Sequence, residues 1–239
     1  FLITTAVYFA YICPNITLDG DKFDFAQYTL QLPSGLGMYF VLTVVVQLLL
    51  NIAYLAQKCG FNSGKNILPA LLFTVIPWTF IFGALMALLF VYPSLKSAFA
   101  NVIGYMVIAG SADKLLNKLL MGSEIILYNT GILVNQLNLS NFECIWKELA
   151  TKLKPETDVK DGKTKLLELV AQKELIGEAV WYVYTAIFVS SIVSYNLASR
   201  GCVKDVATMK KERDDYIEEK EAKLDQAKTA NKTVYKNTM

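Results

Sequence analysis

Histidine is absent from all 239 residues. That excludes Ser-His-Asp triads, His acid–base catalysis, His-ligated zinc and haem held by a proximal His. Charge is scarce as well: 18% of residues are charged and 54% hydrophobic. Soluble domains run at about 25% charged and about 45–50% apolar. The net charge of +2 gives no strong attraction for nucleic acid. None of the four cysteines, Cys13, Cys59, Cys144 and Cys202, forms a C-x-x-C pair. There is no P-loop, no G-x-G-x-x-G and no nucleophile elbow. The expectation is a chain that is not an enzyme and that uses no cofactor, no metal and no small-molecule substrate.

What the chain has instead is long runs without charge. Residues 1–18, 25–57, 66–95, 97–112 and 179–199 carry none. A bilayer core about 30 Å thick needs about 20 apolar residues of helix. Three stretches meet this: 36–57, 67–92 and 179–199. They are apolar on all sides, unlike the amphipathic helices of soluble proteins. Two runs are short. Phe1–Cys13 reads as the visible end of a longer span or the remnant of a processed signal. The stretch 97–112 reads as re-entrant, interfacial or buried in protein, with a full crossing less favoured. The expected class is therefore all-α: a multi-span helical membrane protein with a small amphipathic extramembrane region and a charged helical tail. Its expected parts are an N-terminal apolar segment and acidic loop (1–35), a transmembrane region (36–112), an extramembrane helical region (113–178), a last span (179–199) and the tail (200–239).

Lysines set the expected orientation. Lys58 and Lys65 lie in a loop without acids, and Arg200, Lys204, Lys210, Lys211 and Arg213 open the tail. These fall on the cytoplasmic-type side. The acidic patch Asp19, Asp21, Lys22, Asp24 and the segment from Lys96 to Glu178 fall on the other. In that arrangement Cys59 and Cys202 share one side, and Cys13 and Cys144 the other. Four reduced thiols are the default expectation, with each pair open to a disulfide, and Cys59 and Cys202 to lipidation.

No acid or base lies inside the three spans, which argues against proton pumps and ion-coupled transporters. Thr43, Gln47, Asn51 and Tyr54 share a helical stripe, read as interhelical hydrogen bonding or as a pore face. Gly83 and Ala87, and Ala186, Ser190, Ser194 and Ala198, repeat small residues at spacing four and are candidates for close helix packing. Pro77 is expected to kink its span.

In the polar middle, Ser140-Asn141-Phe142-Glu143 fits a capping box. It opens an amphipathic helix with Phe142, Ile145, Trp146, Leu149 and Leu153 on one face. Phe142, Trp146 and Leu149, with Tyr216 and Leu224 of the tail, are candidates for docking a partner. The tail helix is expected over 203–228, with 231–239 loosely ordered.

Three stretches carry a resemblance. They are Ile76-Pro77-Trp78; Tyr92-Pro93 followed by Phe99-Ala100-Asn101-Val102-Ile103-Gly104-Tyr105; and Val180-Trp181-Tyr182 leading to Val193-Ser194-Tyr195-Asn196 and Gly201-Cys202. Together, over roughly Leu68 to Tyr216, they resemble a family of membrane-spanning virion proteins, the minor capsid proteins of large icosahedral nucleocytoplasmic DNA viruses, with chlorella-virus and mimivirus relatives. The resemblance implies a structural protein of the virion, anchored in the internal membrane beneath the capsid. It implies the lipid bilayer and capsid or other minor capsid proteins as partners, and no nucleic acid. It brings no catalytic residues. The alternatives are a passive channel or transporter, or a membrane assembly factor.

Overall fold

The computed structural model describes residues 1–59, 64–92, 94–122, 129–202 and 206–236. Pro93, residues 125–128 and the start of the tail at 203–205 lie outside them. The fold is all-α: among the described residues there is no strand, only isolated bridges from Asp19 to Lys22 and from Leu120 to Leu153.

The chain begins with α1 (Leu2–Val7), which ends in a π-helical turn, Tyr8–Ile12. α2 (Phe25–Cys59) is 35 residues long and carries no charge before Lys58. α3 (Gly64–Pro77) passes through a π turn, Trp78–Phe82, into α4 (Gly83–Val91). The expected break at Pro77 is thus taken up by a wider turn just after a residue that donates no backbone hydrogen bond. α5 (Ser94–Phe99) and α6 (Tyr105–Leu119) flank a third π turn, Ala100–Gly104. Two short helices follow, α7 (Thr130–Gln136) and α8 (Phe142–Ala150). α9 (Val159–Ser199) runs for 41 residues, its first N–H groups capped by the Asp158 carboxylate. The tail forms α10 (Val206–Lys236), which passes through the 231–236 stretch expected to be loose.

α9 belongs to two separate cores. Its second half packs with α1, α2 and α3 around Tyr8, Tyr39, Trp78, Phe82, Tyr182 and Val189. Its first half packs with α6, α7 and α8 around Leu116, Leu133, Phe142, Trp146, Leu167 and Val170. The sequence explains the division. Residues 159–178 carry eight charged side chains, whereas 179–199 carry none. Only the second half suits hydrocarbon.

Two lysines mark the limits of the apolar half. At one end Lys58 Nζ donates to the carbonyls of Leu197 (3.3 Å), Ala198 (2.8 Å) and Arg200 (3.2 Å). A cation at these unpaired carbonyls stabilises the helix C-terminus. At the other end Lys96 meets Glu178. Between Glu178 and Leu197 the helix rises about 29 Å at 1.5 Å per residue. That matches a bilayer core of about 30 Å.

Among the described residues, four helices are long and apolar enough to cross a membrane: Phe25–Cys59, Ile67–Val91, Ser94–Leu119 and Val159–Ser199. The chain is an integral membrane protein by this measure. The third helix contains the short run 97–112, which composition groups with the transmembrane region. Its neighbour decides its place. Ala100 lies against Gly177, Gly104 against Lys173, and Leu119 against Gly162. Ser94–Leu119 therefore runs antiparallel to the charged half of α9 and packs into the core that this half shares with α7 and α8. A Cβ at Gly177 would sit 2.7 Å from the Ala100 backbone, so the approach depends on glycine there.

The acidic loop joins the same core. Phe23 N–H donates to Glu143 Oε1 at 2.7 Å, and Lys163 Nζ donates to Glu143 and to the Asp21 carbonyl. This corrects the capping box. Glu143 does not turn back to its own helix end, because a buried lysine and a distant N–H claim its carboxylate. Asn141 is the N-cap residue, and the Ser140 hydroxyl donates to Asn138 Oδ1.

The default of four reduced thiols is corrected: Cys59 and Cys202 form a disulfide, because the two helix ends bring them together, while Cys13 and Cys144 are free. The bond closes the same end that Lys58 caps. Alkylation of the unfolded protein should label two thiols without reductant and four with it, read by intact mass. Replacing Gly177 by valine should loosen α5–α6 from α9 and lower stability by about 1–3 kcal/mol, read by thermal unfolding in detergent.

Candidate functional site

The packing candidates separate under the structure. Thr43 Oγ1 donates to Thr4 Oγ1 at 3.2 Å, and Asn51 Nδ2 donates to Thr74 Oγ1 at 3.0 Å. Gln47 is half-buried and Tyr54 exposed. The stripe therefore works in part as interhelical hydrogen bonding. Among the described residues the bundle axis is filled by rings: Tyr8 stacks on Tyr39 at 4.7 Å, Tyr39 meets Tyr182 at 5.5 Å, and Trp78 meets Phe82 at 5.1 Å.

The small-residue pattern mispoints. Gly83 faces the Phe40 ring and Ala186 is buried, as expected of close packing. Ala87, Ser194 and Ala198 are exposed, and Ser190 is half-buried. The seams are instead Trp78, Phe82, Met86 and Leu89 on one side, and Tyr182, Ala186, Val189, Val193 and Leu197 on the other. Large side chains at mixed spacings of three and four fill them, so backbones need not touch.

The docking candidates are corrected too. Phe142 is 0% exposed, Trp146 5% and Leu149 3%. Their amphipathic face is consumed by the domain's own core, and a partner has no access to it. Tyr216 and Leu224 remain 64% and 52% exposed on α10.

What sequence reasoning missed is the junction between the two cores. Lys96 Nζ lies 3.1 Å from Glu174 Oε2 and 3.7 Å from Glu178 Oε2, and all three side chains are largely buried. Glu174 Oε1 also accepts the Leu139 N–H at 3.0 Å, and Glu178 Oε1 accepts the Tyr182 hydroxyl at 2.8 Å. Beside them Lys173 Nζ donates to Asn101 Oδ1 (3.0 Å) and to the carbonyls of Val134 (2.9 Å) and Leu137 (2.8 Å). Those three bonds use all the donors of an ammonium. The cluster thus ties α5, the 100–104 turn, the α7–α8 link and α9 together at one level. A signal existed in the sequence: Glu174 and Glu178 stand one helical turn apart just before a charge-free run, and Lys96 stands between two others.

At the same level Trp181 Nε1 donates to the Leu85 carbonyl, and its ring meets Phe99 at 6.0 Å. Tyr184 is exposed, as suits an interfacial ring. Among the described residues no group of three or more Cys, Asp or Glu is placed to hold a metal ion. Comparison with known protein families, with curated proteins and with solved structures found no match.

Removing one partner of a buried ion pair costs about 3–5 kcal/mol, because the other charge is left without compensation. Lys96→Met should lose stability in that range, read by denaturant unfolding in detergent. Adding Glu174→Gln and Glu178→Gln to the same chain should recover much of the loss.

Proposed function

We propose that the chain is a structural membrane protein of a virion, anchored in the internal membrane and docked to the capsid shell as a minor capsid protein. One observation carries the docking half of this reading. The extramembrane body, closed around its own core, leaves an apolar strip uncovered. Val102, Ile103, Met106 and Val107 are exposed on successive turns of Ser94–Leu119, opposite its contact with α9. Exposed apolar patches of this kind mark interaction sites on soluble surfaces. The strip takes over the role that Phe142, Trp146 and Leu149 cannot fill. Its partner is a capsid or other minor capsid protein, and Tyr216 and Leu224 on α10 offer a second surface at the opposite end.

The three stretches that resemble minor capsid proteins support the virion half. Trp78, Tyr182 and Val193 among them sit in the membrane core, and Trp181 at the junction. The channel reading receives less support, since the bundle axis is filled with aromatic rings.

Quantifying the chain in purified particles tests the proposal. A fixed ratio to the capsid protein is expected, and absence from particles would favour an assembly factor. Met106→Asp is expected to weaken shell attachment about tenfold or more, as loss of an interface anchor does, read by co-sedimentation of the detergent-solubilised protein with shell protein.

A further inference from the structure

The membrane bundle has an open flank between α2 and α4. A hollow of about 340 Å³ lies there, lined by Leu36, Gly37, Phe40, Gly83, Ala87 and Phe90 among others. A second, of about 180 Å³, adjoins it across the shared lining residues Leu36 and Phe90. Its far end reaches Lys96, Glu178 and the rings of Tyr28 and Tyr182. Side by side, the two hollows make a groove along this flank, apolar where Gly37, Gly83 and Ala87 line it and charged where Lys96 and Glu178 do.

Sequence builds this opening. Pro33 and Gly37 stand inside α2, where both disfavour helix, Gly by about 1 kcal/mol and Pro by more. Gly37 has no atom within 4 Å of where a Cβ would be. Side-chain bulk is missing on this flank where a helix would ordinarily carry it. The charged end is also unequal in its bonding. A carboxylate offers about four acceptor sites. Glu178 receives one hydrogen bond, from Tyr182, and its contact with Lys96 is long at 3.7 Å. Lys96 sits closer to Glu174. Glu178 thus lines the groove with acceptor capacity to spare, among aromatic rings that favour a cation.

We propose that the groove holds one phospholipid whose headgroup carries an ammonium, with an acyl chain along Gly37, Gly83 and Ala87 and the ammonium against Glu178. Lys96 lies beside it, nearer to Glu174. Apolar lining lies at the acyl end of the groove and charged lining at the headgroup end. The occupant is distinct from the shell partner proposed above and does not depend on it.

The test uses the full chain in detergent. It is incubated with phosphatidylcholine, phosphatidylethanolamine or phosphatidylglycerol of identical acyl chains, and retained lipid is read by native mass spectrometry. One lipid per chain is expected, with either ammonium lipid retained about tenfold over phosphatidylglycerol, about 1.4 kcal/mol of attraction between the headgroup cation and the Glu178 carboxylate. Gly37→Leu, whose side chain enters the groove, should lower retention at least tenfold, while Gly37→Ala keeps it. Equal retention of phosphatidylglycerol overturns the proposal, as does full retention by a folded Gly37→Leu chain. So does equal binding of water-soluble glycerophosphocholine, which has no acyl chains. If Gly37→Leu fails to fold, the headgroup comparison on the unaltered chain decides alone.

Discussion

A lysine buried between two glutamates at the edge of the bilayer holds the molecule in one piece. Lys96 begins the helix that leaves the membrane bundle, and Glu174 and Glu178 lie on the helix that enters it. Each charge is tolerable out of water only because the others are there. The pairing fixes where α5 meets α9, and from that contact the antiparallel run past Gly177, Gly104 and Gly162 extends. Lys173 locks the α7–α8 link to the same level through its three bonds. The second core is thus assembled against one face of a single long helix, along its charged half.

The spans were legible because hydrocarbon excludes charge, and a charge-free run is a one-dimensional signal. The boundary at Ala179 is marked in the sequence and agrees with the division of α9 between its two cores. That the helix continues unbroken across it was not legible. The stretch before the boundary is charged, and composition alone splits it from the apolar stretch beyond. The run 97–112 shows the converse. Its apolar residues are real, but its neighbour is the charged half of α9, and neighbours are not written in local composition.

The packing residues were legible in part: Thr43, Asn51, Gly83 and Ala186 pack as expected, whereas Ala87, Ser194 and Ala198 are exposed. Small-xxx-small spacing suggested close backbones, yet the seams are filled by Trp78, Phe82, Tyr182 and Val189. The amphipathic face of α8 was identified correctly, but periodicity says that a face is buried and not by whom. Glu143 illustrates the same limit at one residue. Its spacing from Ser140 fits a local cap, while its carboxylate answers to Lys163 and Phe23, far away in the chain.

α9 also sets a length. Its charged half, from Val159 to Glu178, spans about 29 Å at 1.5 Å per residue. It is unbroken helix and braced along its side by Ser94–Leu119. Such a braced rod resists bending and compression far better than a loop would. Anything gripping its outer end stands off the bilayer surface by a fixed spacing, and a push at that end is delivered to the lipid as a tilt of the bundle.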